Sequence, residues 1–350
     1  MDCHEGVRCY HTYCAMNTTI ISILTTISIT FSVINASGQT YPGKALQRQM
    51  QTEETAFLAS MRPGLQHTQM LAVRDAMKGD YSALEQIRQS RNQAPVLPET
   101  VESKYVTPDL CLFYPVNATE RKRPLLLYLH GGGWCFGSIN SCARFCAALA
   151  EAGDCCVAAL NYRLAPKYPF PIPLNDCIEA FEYLKQHAEE WGCDSSRISI
   201  GGDSAGGNLA LAASMSLTGV HKVIPIYPVT KLFTEVTTSW KKYARGYGDD
   251  AELLEAFNEA YSSGDSHNPL VSVGLASDKA LTELPPVLII SAGHDILFDQ
   301  TAELARRLQR LGHPLSYHVF PTATHLFITV PGQPAAFQES VRIVSRFLNE

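Results

Sequence analysis

From residue 101 to the C terminus, short apolar runs alternate with segments of helical length, and this rhythm restricts the chain to few folds. CLFYPV (111–116), PLLLYLH (124–130), CCVAALNY (155–162), RISIGG (197–202), VIPIYPV (223–229), VLIISAG (287–293) and SYHVF (316–320) read as strands. Between them lie ARFCAALAEAG (143–153), DCIEAFEYLKQHAEEWG (176–192), GNLALAASMSL (207–217) and QTAELARRLQRLG (300–312), all with helical spacing, and a terminal helix ends in VRIVSRFLNE. A run as uniformly apolar as PLLLYLH suits a strand covered on both faces. The alternation predicts an α/β architecture, a mostly parallel central sheet with helices on both faces and right-handed crossovers.

Two regions stand outside this rhythm. The interval from about 230 to 284 is too long for a plain connection and contains the helical AELLEAFNEAYSSG (251–264). It is expected to be an insertion over the carboxyl edge of the sheet. Residues 39–100, rich in Gln, Glu, Ala, Leu and Met, carry helical spacing in LQRQMQTEETAFLASM and ALEQIRQSR and close at Pro95 and Pro98. They are expected to form a helical segment beside that insertion, leaving 101–350 as the main domain.

Hydrophobic residues make up 46% of the chain and charged residues 18%, enough for a substantial core. The formal net charge of −6 is spread without a basic patch, so nucleic acid is not an expected partner. The run IISILTTISITFSVI (20–34) is too short and hydroxyl-rich to read as a bilayer span. Ala36-Ser37-Gly38 supplies small residues for a cut before Gln39. Residues 1–38 are therefore read as a secretory leader, beginning at Met1 or Met16. An exported, periplasmic or secreted product without stable membrane insertion follows. The alternatives are a buried strand or an uncleaved anchor. Of eleven cysteines, Cys3, Cys9 and Cys14 lie in the leader and, with His4 and His11, fit no zinc spacing. Cys111, Cys135, Cys142, Cys146, Cys155, Cys156, Cys177 and Cys193 sit mostly among apolar residues, where a thiol acts as a small hydrophobe. No specific disulfide follows from their spacing.

The chemistry begins at Gly202-Asp203-Ser204-Ala205-Gly206, between the strand RISI and the helical GNLALAASM. A strand-to-helix turn this tight strains its apex residue and demands small neighbours. It would lift the Ser204 hydroxyl clear of the sheet, with the Ala205 amide and the helix dipole facing a forming oxyanion. No Lys follows, and G-x-G-x-x-G is absent, so the turn is not a nucleotide loop. His130-Gly131-Gly132-Gly133-Trp134 directly follows the most apolar strand. Three successive glycines cost conformational entropy and make sense where amides must approach a ligand atom. Gly132 and Gly133, with Ala205, are the candidate oxyanion donors, and His130 is expected to orient the loop.

A serine nucleophile needs an imidazole base, and the imidazole needs a carboxylate. Asp295 falls in the turn after VLIIS; Asp299, four residues on, is expected to cap the next helix. His325 lies in the loop after SYHVF, whereas His313 and His318 lie before and inside that strand. Ser204, His325 and Asp295 are thus the candidate triad. Trp134, Phe136, Tyr227, Phe298 and Phe327 are candidate pocket aromatics, though each suits a core position equally well.

The blocks HGGGW (130–134), NYRLAPKYPFP (161–171), GDSAGG (202–207), AGHDILFD (292–299) and THLF (324–327) resemble the hormone-sensitive-lipase-like esterases, which include bacterial acetyl esterases. The resemblance implies an α/β-hydrolase fold and a helical cap built from the N-terminal segment and an insertion. It also implies hydrolysis of short acyl esters without a metal or cofactor, and a role for Asp203 in supporting the HGGGW loop. Ile296, Phe298 and Leu326 depart from that family's usual Pro, Arg and Gly. The expected substrate is a small-molecule acyl ester, with a sugar or glycan acetate as one candidate. Rival readings are an amidase or peptidase with the same triad, or a binding protein on a silent hydrolase scaffold.

Overall fold

A computed structural model of the chain describes residues 33–34, 38–117 and 121–350. Most of the expected leader, with its Cys3, Cys9, Cys14, His4 and His11, lies outside the described residues.

Among the described residues ten strands form one sheet. They are β1 (Val33–Ile34), β2 (Gln39–Tyr41), β3 (Val101–Thr107), β4 (Leu110–Pro115), β5 (Arg123–Leu129), β6 (Cys156–Leu160), β7 (Cys193–Asp203), β8 (Val223–Ile226), β9 (Val287–His294) and β10 (Leu315–Thr324). Their order is β1-β2-β10-β9-β8-β7-β5-β6-β4-β3. From β2 to β6 every neighbouring pair is parallel. The edge pairs β1·β2, β6·β4 and β4·β3 are antiparallel. The helices are α1 (Lys44–Ser60), α2 (Leu65–Met77), α3 (Ser82–Arg91), α4 (Ile139–Gly153), α5 (Ile172–His187), α6 (Ala205–Ser216), α7 (Thr238–Tyr243), α8 (Ala251–Ser262), α9 (Asp278–Thr282), α10 (Phe298–Arg310) and α11 (Pro334–Asn349).

β5 shows why the pattern reads as it does. Leu125, Leu127 and Leu129 enter one core, with Phe181 of α5, Leu209 of α6 and Leu308 of α10. Leu126 and Tyr128 enter the other, with Phe145 and Leu149 of α4 and Val344 and Leu348 of α11. The period-two alternation of a strand sends successive side chains to opposite faces, so a strand between two helical layers must be apolar throughout. The eight cysteines of the main domain are all buried and unpaired.

The N-terminal segment divides in a way the sequence does not show. Gln39–Tyr41 joins the sheet, pairing parallel with β10, instead of belonging to the helical segment. Three residues are too few to print a strand period, and the pairing covers an otherwise open edge of β10. α1 then packs on β10 and α11, whereas α2 packs on α3 and on α8 of the insertion. α2, α3 and α8 thus form a helical layer of their own. Val33–Ile34, within the expected leader, pair antiparallel with Tyr41 and Thr40. Among the described residues no helix is long and apolar enough to cross a membrane.

Candidate active site

The parallel strands end along one edge, and the sites read from the sequence meet there. β7 ends at Asp203, and α6 starts at Ala205. Ser204, alone between them, has φ 55° and ψ −118°. This backbone region costs on the order of 1–3 kcal/mol for a non-glycine residue and persists only where surroundings enforce it. The enforcement is visible: the Ser204 amide donates to the Ile226 carbonyl at 2.9 Å, and its carbonyl accepts from Asn208 at 3.1 Å. A Cβ on Gly202 or Gly206 would run into the Leu129 carbonyl. The small residues around Ser204 are therefore dictated by how closely α6 crosses the end of β5.

The Ser204 Oγ lies 2.8 Å from Nε2 of His325, and Nδ1 of the same ring lies 2.7 Å from Oδ2 of Asp295. Asp295 follows the end of β9 and His325 the end of β10. The second Asp295 oxygen accepts the Leu297 amide at 2.8 Å, which fixes the carboxylate at the start of α10. Asp299 does not cap that helix. Its carboxylate accepts the Ser239 amide at 2.8 Å and so ties α7 of the insertion to α10. All three residues of the cluster are buried, Ser204 at 5% exposure. Burial by itself would lower the His325 pKa; the charge of Asp295, its hydrogen bond, and the carboxylates of Asp249 and Asp203 outweigh burial and raise it to about 9.

The glycine loop faces this cluster. Gly132 and Gly133 have φ of 116° and 59°, and a Cβ on Gly133 would enter the Phe257 ring. No acceptor among the described residues takes the amide hydrogens of Gly132 or Gly133, which leaves both available to a ligand oxygen. The loop is held from three sides. Asp203 Oδ1 accepts the Gly131 amide at 3.1 Å and the Tyr128 hydroxyl at 2.9 Å. Burial pushes the Asp203 carboxyl up to about 6, although Tyr128, Gly131 and His325 all favour its charged form. His130 stacks on Tyr162, and burial pushes its ring down to about 4, a neutral structural imidazole. Arg88 of α3 donates to the carbonyls of Cys135 and Ala165, each at 2.8 Å. Sequence reasoning did not single out Arg88, since a helical arginine normally reads as solvated.

A cavity of about 430 Å³ opens onto Ser204 and His325. Phe136 and Tyr227 line it. Trp134, Phe298 and Phe327 do not. Trp134 is fully buried and stacks on Tyr261 at 4.4 Å, Phe327 packs edge-on against Tyr227 and Phe298 lies against the first core. Gly248 and Asp249 of the insertion also reach the site, with Asp249 Oδ2 lying 3.8 Å from His325 Nε2. Among the described residues no cluster of His, Cys, Asp and Glu is arranged to hold a metal ion.

Residues 126–329 match a family described by the alpha/beta hydrolase fold. That span is more than half of the chain, and it contains every residue of the cluster. The chain belongs to the hormone-sensitive-lipase-like α/β-hydrolases. This hydrolase is 36% identical to the ethyl acetate hydrolase of Pseudomonas putida over 58% of its own length and 65% of the relative's. It thus spans less than two thirds of that relative. It is 33% identical to an arylesterase of Saccharolobus solfataricus over 63% of its own length and 72% of that protein's. Among solved structures, the carboxyl esterase 2 of the mycorrhizal fungus Tuber melanosporum superposes with a TM-score of 0.68 at 26% identity, over 73% of this chain and 88% of the other.

Proposed function

We propose that this hydrolase cleaves short acyl esters through an acyl-enzyme, with Ser204 as nucleophile, His325 as general base and acid, and Asp295 as the orienting carboxylate. The observation that carries the reading is the unbroken relay Ser204–His325–Asp295, at 2.8 and 2.7 Å. In its neutral form His325 takes the Ser204 proton as the oxygen attacks the ester carbonyl, and Asp295 stabilises the imidazolium. The amides of Gly132, Gly133 and Ala205 receive the oxyanion. His325 then protonates the leaving alcohol, and water repeats the sequence on the acyl-enzyme. No step requires a cofactor.

The short-acyl preference draws support from the relative that hydrolyses ethyl acetate and from the helical layer over the cavity. Hydrolysis of p-nitrophenyl esters from acetate to palmitate tests it: activity should peak at or below hexanoate and vanish in Ser204→Ala. Peak activity at palmitate would overturn the short-acyl assignment. Matched amides should be hydrolysed far more slowly than esters. Export is part of the same proposal. It rests on the apolar run 20–34 and the small residues at 36–38, outside the described residues apart from Val33–Ile34 and Gly38. An intact N terminus on the mature protein would contradict it.

A further inference from the structure

Two polar side chains, Gln69 of α2 and Asp249 of the loop before α8, line the catalytic cavity without a hydrogen-bond partner among the described residues. Gln69 of α2 is 5% exposed and lines the cavity, yet its amide has no hydrogen-bond partner among the described residues. Asp249, with 15% side-chain exposure, lines the same cavity; its carboxylate accepts no hydrogen bond, and its nearest charged neighbour is His325. Both open onto the cavity wall, where a bound ligand can take them as hydrogen-bond partners.

Their position indicates which part of a substrate they would meet. His325 Nε2 is the atom that gives its proton to the leaving alcohol, and Asp249 Oδ2 sits 3.8 Å from it. Asp249 therefore stands beside the alcohol half of an ester. Its placement is built, not incidental. The Gln66 side chain of α2 donates to the Gly248 carbonyl, fixing the loop from the insertion to α2 one turn from Gln69. Gly248 has φ 135°, and a Cβ there would lie 3.3 Å from the His325 Cβ, so the backbone before Asp249 runs close beside His325. A carboxylate accepts hydrogen bonds, and a primary amide both donates and accepts. Arg91 and Arg144 line the same cavity, which disfavours a cationic alcohol beside Asp249.

We propose that Asp249 and Gln69 recognise hydroxyl groups on the alcohol half of the substrate, so that the preferred esters are short acyl esters of polyols or sugars. This rests on the reading of Ser204 as an esterase nucleophile. A site shaped to hydrogen-bond a substrate hydroxyl rejects the analogue lacking it more strongly than an apolar pocket rejects an extra one.

The test compares kcat/KM for matched acetates: glycerol monoacetate against propyl acetate, and methyl 6-O-acetylglucoside against cyclohexylmethyl acetate. The wild type should favour the hydroxylated member of each pair by about tenfold or more. Asp249→Ala and Gln69→Leu, which remove the hydrogen-bonding groups, should each collapse that ratio, mainly by raising KM for the hydroxylated ester. The ratio isolates recognition from any effect of Asp249 on the chemistry at His325. A wild-type ratio near one, a ratio unchanged in both variants, or acetylcholine as the preferred acetate would overturn the proposal. If p-nitrophenyl acetate is cleaved while the ratios fail, only the hydroxyl recognition falls; if no ester is cleaved at all, the esterase reading falls with it.

Discussion

The carboxylate of Asp203, next to Ser204 in sequence, accepts the Gly131 amide at 3.1 Å, so the residue beside the proposed nucleophile also grips the loop proposed to bind the oxyanion. One side chain links the Ser204 turn to the proposed donors. Asp203→Ala should therefore lower kcat by about tenfold or more, short of the roughly 10²–10³ typical of losing an oxyanion donor outright. KM should change less. Asp203→Asn, which keeps an acceptor oxygen, should fall between the two. Steady-state kinetics on p-nitrophenyl acetate checks this, and an unchanged kcat in Asp203→Ala would detach the loop from catalysis.

The same loop is tied to the helical layer by Arg88, whose guanidinium spans two carbonyls, Cys135 and Ala165. A planar fork reaching two acceptors is not reproduced by an ammonium. Both Arg88→Ala and Arg88→Lys should lower kcat, with Lys rescuing little, and the melting temperature should drop in both. Full activity in Arg88→Lys would show that charge alone suffices.

The raised His325 pKa gives a pH dependence with a definite sign. Only the neutral ring can act as base, so kcat/KM should fall as pH drops, with its acidic limb near pH 9 instead of near 6.5. Stability runs the other way. The folded ring holds its proton more tightly than the unfolded one, so this contribution is fully present below about pH 6.5 and is lost as pH rises toward 9. A pH–rate profile with its limb near 6.5 would contradict the carboxylate environment. Asp249→Asn removes one of the contributing charges and should move the limb to lower pH.

Much of the site was legible because its chemistry and its topology coincide. Ser204 announces itself by glycine and alanine neighbours that a strand-to-helix crossing requires, and the clash between a Cβ at Gly206 and the Leu129 carbonyl shows why. Asp295 and His325 were found by their place after late strands. Contacts made by the helical layer left no such trace. Asp249 and Asp250 read as a polar pair before α8, and nothing in the sequence says that one of them reaches His325. Arg88 and Gln69 sit at helical positions whose direction is set only by packing. The candidate pocket aromatics, each equally suited to a core position, divide for a related reason: a residue's type does not tell which side of a loop it takes, so Trp134 and Phe327 lie in the core while Phe136 and Tyr227 line the cavity.

Labelling with a fluorophosphonate and intact-mass analysis tests the proposed catalytic relay most directly. The wild type should gain one adduct, mapped to Ser204, and Ser204→Ala should gain none, while His325→Ala should label far more slowly. A wild type that stays unlabelled, or an adduct that persists in Ser204→Ala, would contradict Ser204 as the nucleophile.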